Sequence, residues 1–195
     1  MYINEMKTLL LRALFIALTL AIATPLAAQD AAKDTTAKNS AEAKETITLL
    51  LSDYHGVPTR ASLLAVSPTA RDILLDMARD EDLFSLYRHR ALAALGHWPD
   101  AQVQSLMFGL LKSDETSEVL QHHLLGIVAN AFGKDAVEVI APYLAHEDVQ
   151  LRLSAVGALS RIPHGDAEKV LQHAVSEEKN AVVRERLEDS LMRTR

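Results

Sequence analysis

Residues 146–162 read HEDVQLRLSAVGALSRI, and the fold class can be inferred from this stretch. It contains the pattern R-x-x-A-x-x-A-L, which runs from Arg152 to Leu159 and spaces its small and apolar residues as one face of a helix. Asp148, just before the pattern, is a residue type that favours helix N-caps. The stretch therefore predicts an acidic turn followed by a helix whose alanines allow a close approach to a neighbouring helix.

The same pattern recurs along the chain. Residues 88–95 read RHRALAAL, residues 184–191 read RERLEDSL, and a weaker copy, QHHLLGIV, occupies residues 121–128. Successive copies are 33, 31 and 32 residues apart, measured between the register positions Ala91, Leu124, Ala155 and Leu187. A repeat of this length indicates an array of helical hairpins, because each hairpin can bury its apolar face only against its neighbours.

Each of the last three copies follows another segment with helical spacing that ends in an acidic turn. These segments are AQVQSLMFGLLKSD at 101–114, DAVEVIAPYLAHED at 135–148 and DAEKVLQHAVSEEK at 166–179. The predicted unit is a first helix, an acidic turn and a second helix. The residues expected to cap the second helices are Ser117, Asp148 and Asn180. Two shorter helices, Ala43–Tyr54 and Thr59–Val66, complete a prediction of four good repeats and one degenerate N-terminal repeat.

The segment at His146–Ile162 resembles a HEAT-like repeat of the phycobilisome-lyase type, and LYRHRALAALGHW at Leu86–Trp98 resembles one more loosely. The resemblance covers about Pro68 to Arg193. It implies an all-α fold, a right-handed α-solenoid of four to five HEAT-like helical hairpins. It implies little about activity, because such repeats are known mainly as scaffolds, with a few enzymes and nucleic-acid binders among them.

The first 28 residues have the pattern of a secretory signal peptide. Lys7 and Arg12 form a basic start, an apolar run follows, and the segment closes on the small residues Ala27 and Ala28. The apolar run is shorter than the about 20 residues that span a bilayer. We therefore expect cleavage after Ala28 and no stable membrane anchor afterwards.

Three segments are predicted in all: a signal peptide over 1–28, a flexible leader over 29–44 and a HEAT-like repeat domain over 45–195. The leader is predicted because its Ala, Lys, Asp, Thr, Ser and Glu residues show no apolar periodicity. The chain has no Cys, so it contains neither a lipobox nor a disulfide. The expected location is the periplasm or the exterior of the cell.

Net charge and residue types limit the classes of function that we expect for this protein. The net charge of −6 argues against a nucleic-acid binder, because the phosphate backbone attracts proteins with a surplus of Lys and Arg. The eight His include no H-E-x-x-H motif. His89 and His122 occupy equivalent repeat positions and are expected to lie close, but two His alone make a weak metal site. We predict no cofactor, no metal and no enzymatic activity.

An enzyme or cofactor-binding HEAT-like protein remains the alternative. HEAT-like enzymes of the deoxyhypusine hydroxylase type hold two irons with several His-Glu pairs. This chain has one such pair, His146-Glu147, in a predicted turn. One pair cannot form that centre, so the activity is not carried over.

The arginines at the start of three copies, Arg88, Arg152 and Arg184, form a column that we interpret as structural. Asp148 and Arg152 are four residues apart on one helix, which predicts an ion pair between them. A second stripe on the second helices is polar and basic, and small residues, Gly126 and Gly157, lie along its middle.

This stripe has two interpretations: a groove for a protein or peptide partner, possibly acidic, or a surface where Gly126 and Gly157 let helices touch. Trp98 is either a plug at the end of a helix or an exposed aromatic anchor. The candidate partner-binding residues are Arg90, His97, His123, Asn130, Arg161, Arg186 and Trp98. The resulting prediction is an exported protein-interaction scaffold.

Overall fold

The computed structural model describes residues 39–53 and 56–193, and the described residues are all-helical, without strands. The chain divides into two units, residues 1–45 and 46–195. In the first unit residues 39–45 are helical. The predicted flexible leader is therefore wrong for residues 39–44, where Ala, Glu and Lys are good helix formers. The predicted signal peptide and the leader up to residue 38 lie outside the described residues.

The second unit begins with a helical stretch at residues 46–52, labelled α1. The helices that follow are α2 (Arg60–Val66), α3 (Ala70–Arg79), α4 (Ser85–Leu95), α5 (Ala101–Lys112), α6 (Glu118–Phe132), α7 (Val137–Ile140), α8 (Val149–Leu159), α9 (Gly165–Glu177) and α10 (Ala181–Arg193). Short 3₁₀ turns, Gly133–Ala136 and Ala141–Ala145, flank α7. In the described part of the chain, no helix is both long enough and apolar enough to cross a membrane.

The helices of the second unit pack in pairs. Helix α3 contacts α4, α5 contacts α6, the 3₁₀ turn before residue 146 contacts α8, and α9 contacts α10. The second helices of these pairs, α4, α6, α8 and α10, are called the B helices below. Each B helix also contacts the next one in chain order, α4 with α6, α6 with α8 and α8 with α10. The four B helices therefore form one layer.

Burial follows the repeat period. The four register positions are buried in every B helix, namely Ala91, Leu124, Ala155 and Leu187. Ala94 and Ala158, the second small residues of their copies, are also fully buried. The predicted register is confirmed at these positions, and the small side chains leave room for neighbouring helices to pack closely.

The three predicted N-caps of the B helices are confirmed. The Ser117 hydroxyl accepts from Leu120 N, and the Asp148 carboxylate accepts from Leu151 N. Asn180 Oδ1 accepts from Val182 N at 3.0 Å. These side chains satisfy amides that have no partner within the first turn of a helix.

The first helix of the third hairpin is interrupted. The segment DAVEVIAPYLAHED has apolar residues at helical spacing, but only Val137–Ile140 is α-helical, between two 3₁₀ turns. Pro142 has no backbone N–H and its ring clashes with a preceding carbonyl, so a continuous α-helix is unfavourable here. The helix is therefore predicted at the right place in the sequence, but only part of the segment is α-helical.

The arginine column ties three of the four B helices to the end of the preceding helix. Arg88 Nε donates to Ala78 O at 3.0 Å, and Arg152 Nη1 donates to His146 O at 2.7 Å. Arg184 Nε donates to Glu178 O at 3.1 Å. The guanidinium groups thus bind carbonyl oxygens at or just after the C-terminal end of the first helix in the same hairpin. The structural interpretation of the column is confirmed.

The predicted ion pair between Asp148 and Arg152 is wrong. Asp148 Oδ1 accepts from Leu151 N at 2.9 Å, so the carboxylate points to the helix N-terminus. Arg152 Nε instead donates to Glu178 Oε2 at 2.9 Å. The carboxylate is committed to capping, and the guanidinium reaches the next hairpin.

Candidate functional site

Two residues of the predicted partner-binding stripe bind the backbone of this chain. Arg90 Nη2 donates to Asp53 O at 2.5 Å and also to Gly56 O. His97 Nε2 donates to Pro58 O at 3.0 Å. Both side chains therefore hold the connection between α1 and α2 against the start of the repeat array. Their part in the stripe is structural.

Trp98 is buried, with 8% of its surface exposed. The guanidinium carbon of Arg60 lies 5.4 Å from the centre of the indole, a cation–π contact. The exposed-anchor interpretation of Trp98 is wrong, because a ring covered on this scale cannot be the first contact for a partner. Its position just after α4 fits a plug at the end of that helix.

The other four predicted residues, His123, Asn130, Arg161 and Arg186, are exposed. Arg161 Nη2 lies 3.0 Å from the place that a Cβ on residue 126 would occupy, so Gly126 makes room for that guanidinium. A Cβ on Gly157 would have no atom within 4 Å. The interpretation that these glycines let helices touch is therefore wrong at Gly157, whereas at Gly126 the close neighbour is the Arg161 side chain of the next hairpin.

A row of polar side chains crosses three B helices next to this stripe. The ring centroids of His89 on α4 and His123 on α6 are 5.4 Å apart, and those of His122 and His123 are 5.7 Å apart. His122 Nδ1 meets Ser154 Oγ on α8. The expected closeness of His89 to His122 is replaced by a contact with His123, since His122 turns towards α8.

The contact between His122 and Ser154 does not activate the serine. A hydroxyl has one proton, and Ser154 Oγ donates it to Gln150 O at 2.7 Å. His122 Nδ1 must then donate to Ser154 Oγ, which is the reverse of a general base that removes a serine proton. The contact is a side-chain hydrogen bond that joins α6 to α8.

The surroundings of His89, on α4, oppose its protonation. Burial lowers the pKa of His89, and the nearby charges of His123 and then Arg88 lower it further. Partial desolvation and like charges both disfavour the imidazolium. His89 therefore takes up a proton at a lower pH than an unperturbed histidine does, because its pKa is lowered.

Exposed apolar side chains lie beside the histidine row. Leu86 on α4, Val119 on α6 and Val182 on α10 are all exposed, Val119 to 62%. Each is five residues before the register position of its helix, and the third B helix, α8, has Gln150 there. The sequence analysis missed this row, although the shared offset of five residues was a readable signal.

Two surface cavities flank the third hairpin on the side of the first helices. The larger, about 790 Å³, lies between the 3₁₀ turn Ala141–Ala145 and α9. Its lining includes Leu144, Val170 and the ion-paired Arg152. The second, about 320 Å³, is lined by residues at the end of α5, on α6 and around Pro142. Both border the broken helix, because a 3₁₀ turn fills less of the layer than an intact α-helix.

Within residues 39–53 and 56–193, no group of three or more His, Asp or Glu side chains is arranged to hold a metal ion. No protein-family model matches the chain. No curated protein matches it at a significant level. The candidate site is thus defined by its geometry: the histidine row and the exposed apolar row, which share helices α4 and α6 of the B-helix layer.

Proposed function

We propose that this protein is an exported scaffold that binds a protein or peptide partner on its B-helix layer. We further propose that the helical hairpins form a right-handed α-solenoid of the HEAT-like type. Two features support the solenoid: the B helices contact one another in chain order, and the buried register positions recur with the sequence period. Nearest-neighbour packing of this kind is what a repeat array requires.

The observation that carries the binding proposal is the exposed apolar row formed by Leu86, Val119 and Val182. Scattered exposed apolar residues are ordinary, but three of the four B helices carry one at the same register position, with Gln150 on α8 as the exception, and such a strip is a surface that a partner can follow. His89 follows Leu86 on α4 by three residues, and His122 follows Val119 on α6 by three, so these side chains lie within one helical turn of each other. Polar groups beside an apolar strip are typical of protein interfaces.

The chemistry of the surface favours an extended partner with both apolar and acidic side chains. Packed helices lie 8–10 Å apart, and an extended chain advances about 3.3 Å per residue. Every third residue of a partner thus meets the next B helix. Arg161 and Arg186 supply exposed positive charge on this layer, since Arg90 and His97 bind backbone carbonyls.

Site-specific photo-crosslinking tests the proposal. A photo-reactive residue at position 119 should capture a partner in envelope extract, and one at Leu49, which is equally exposed on α1, should not. The captured partner, once purified, should bind the wild-type protein more weakly as salt rises, because salt screens exposed charges.

A charged substitution provides the matched control. Val119→Asp should abolish binding of the purified partner without lowering the melting temperature, while Leu49→Asp should leave binding intact. Equal capture from positions 119 and 49, or full binding by a folded Val119→Asp protein, would place the partner elsewhere.

Export is tested separately by the mass of the secreted protein. The basic, apolar and small-residue pattern of the first 28 residues motivates the proposal. The mature chain should begin at Gln29 or within a few residues of it. Recovery of the full-length chain from the membrane fraction would contradict export with cleavage.

A further inference from the structure

The larger surface cavity, of about 790 Å³, lies between the 3₁₀ turn Ala141–Ala145 and α9. A volume of this size is typical of cavities that hold small organic ligands. The apolar part of its wall comes from both elements and consists of Ala141, Leu144, Ala145, Val170 and Ala174. A ligand with an apolar body would remove this surface from water, which favours binding.

The guanidinium group of Arg152 forms part of the wall of this cavity. Its Nη1 donates to His146 O at 2.7 Å and to Glu147 O at 2.9 Å. Its Nε donates to Glu178 Oε2 at 2.9 Å. All three acceptor residues line the cavity, as Arg152 itself does. These bonds hold the guanidinium in place at the edge of the cavity.

One nitrogen of this guanidinium is left without an acceptor. Arg152 Nη2 makes no hydrogen bond with any of the described residues. In that part of the chain, the one buried side-chain nitrogen or oxygen without a partner is Gln121 Oε1, so Arg152 Nη2 is accessible from outside. The cavity therefore contains an accessible donor that can bind a ligand.

The same nitrogen is engaged in the other two arginines of the column. Arg88 Nη2 lies 3.8 Å from Glu81 Oε1, within ion-pair distance. Arg184 Nη2 donates to Glu178 O. Arg152 differs because its Nη1 takes two carbonyl oxygens and its Nε takes the carboxylate, which leaves Nη2 over. Since the group is already held in place, little further ordering is needed when a ligand binds to it.

The formal charges of the lining cancel. It has three basic and three acidic side chains, namely Arg152, Lys169, Lys179, Glu147, Glu177 and Glu178. Glu178 already offsets the charge of Arg152, and it would repel a second carboxylate at the same guanidinium. An ammonium group would offer no acceptor to Arg152 Nη2. The lining therefore suits a neutral ligand with an acceptor oxygen.

We propose that this cavity binds a neutral, mainly apolar small molecule whose carbonyl oxygen, as in an amide or an ester, accepts a hydrogen bond from Arg152 Nη2. The apolar body of the molecule packs between Leu144 on the 3₁₀ turn and Val170 on α9. A hydrogen bond from a guanidinium is stronger than one between neutral groups. The site stands apart from the B-helix surface and does not rest on the proposed scaffold function.

NMR titration of the purified, ¹⁵N-labelled protein tests the proposal with four probes. N,N-dimethyloctanamide combines a long alkyl chain with a carbonyl acceptor and has no N–H group. N,N-dimethyloctylamine has the same chain but is a cation without an acceptor, and octanoate has a charged carboxylate. N,N-dimethylacetamide has the acceptor but lacks the chain. N,N-dimethyloctanamide should bind, and each of the other three probes should bind at least several-fold more weakly.

The same spectra locate the bound probe. The backbone amide signals of Leu144, Val170 and Ala174 should shift as N,N-dimethyloctanamide binds, because these residues line the cavity. The signal of Val119, in the exposed apolar row on α6, should stay in place. Val119 thus provides the control for unspecific adsorption of an alkyl chain to apolar surface.

Two leucine substitutions on α9 give a matched pair of variants. Ala174→Leu extends a side chain into the cavity and should weaken N,N-dimethyloctanamide binding roughly tenfold by overpacking the site. Gln172→Leu adds the same side chain at an exposed position outside the lining and should leave the affinity unchanged. Arg152→Lys keeps the charge beside Glu178 but removes Nη2. It should weaken binding roughly tenfold, the effect of one lost hydrogen bond to a charged group.

Absence of N,N-dimethyloctanamide binding would overturn the proposal. Equal or tighter binding of any of the other three probes would also overturn it, because the carbonyl acceptor, the neutral charge or the alkyl chain would then have no effect. The same holds if Val119 shifts as much as Val170, or if Ala174→Leu binds as tightly as Gln172→Leu. If Arg152→Lys fails to fold, the probe comparison on the wild-type protein and the leucine pair still decide the question.

Discussion

Arg152 and Glu178 form a largely buried ion pair that joins two successive hairpins. Arg152 Nε donates to Glu178 Oε2 at 2.9 Å, and the side chains are 14% and 8% exposed. Glu178 Oε1 in turn accepts from Asn180 N at 2.7 Å. One carboxylate therefore fixes a guanidinium on α8 and the start of α10.

Replacing this arginine should destabilise the fold. Arg152→Met leaves Glu178 with an uncompensated charge and removes hydrogen bonds to the turn, so we expect a loss of about 2–4 kcal/mol in the free energy of unfolding. Urea denaturation measures it. Lys169→Met provides the control, since its ion pair with Asp166 is exposed and should contribute less than about 1 kcal/mol. Equal losses of stability in the two variants would contradict the prediction that the buried ion pair contributes more than the exposed one.

Enlarging a buried alanine should overpack the B-helix layer. Ala155 is fully buried on α8, so Ala155→Leu should cost about 1–3 kcal/mol. On the same helix, Gly157→Ala adds a methyl group with no atom within 4 Å and should raise stability by up to about 1 kcal/mol through helix propensity. Thermal denaturation compares them. A melting temperature unchanged by Ala155→Leu would refute the register.

Two arginines of the predicted stripe should differ in their effect on stability. Arg90 donates to two carbonyl oxygens between α1 and α2, so Arg90→Met should cost about 1–2 kcal/mol. Arg161 is exposed, and Arg161→Met should change stability by less than about 0.5 kcal/mol. Chemical denaturation of both variants provides the comparison. A loss of stability in Arg161→Met as large as that in Arg90→Met would show that Arg161 also has a structural role.

Acidification should destabilise the protein through His89. Its pKa is lowered in the folded state, mainly by burial, so the unfolded chain binds the proton more tightly. The stability that depends on neutral His89 is complete above the unfolded value of about 6.5 and is lost as the pH falls from there through the folded pKa. Urea denaturation of wild type and His89→Gln from pH 8 to 5 should show a shallower pH dependence for the variant.

High salt provides the control for this pH effect. Salt screens the charges of His123 and Arg88 but not desolvation, so most of the His89-dependent difference should persist at high ionic strength. Loss of the whole difference in salt would mean that charge repulsion, and not burial, lowers the pKa.

The candidate site could be predicted from the sequence only in part. The offset between Leu86, Val119 and Val182 is visible in the sequence, and so is the replacement of arginine by Gln121 in the column. Neither feature shows its structural consequence until the three-dimensional arrangement is known. Whether an apolar residue at that position is exposed, or a glutamine lacks a partner, depends on how neighbouring hairpins cover it.

Local spacing in the sequence was enough to predict most of the helices, the caps of the B helices and the register. Ser117, Asp148 and Asn180 cap the B helices because a side chain and an amide two or three residues away meet within one turn, which local spacing describes fully. The burial of Ala91 and Ala155 follows from the same helical period.

The partners of the long polar side chains could not be predicted from the sequence, because they depend on how the hairpins pack. Arg90 reaches Asp53, Arg152 reaches Glu178, and Tyr143 reaches Leu111, each more than twenty residues away. The periodicity fixes which face of a helix such a residue occupies. It leaves open the distance and rotation between neighbouring hairpins, and these set which carbonyl or carboxylate lies within reach of a flexible side chain.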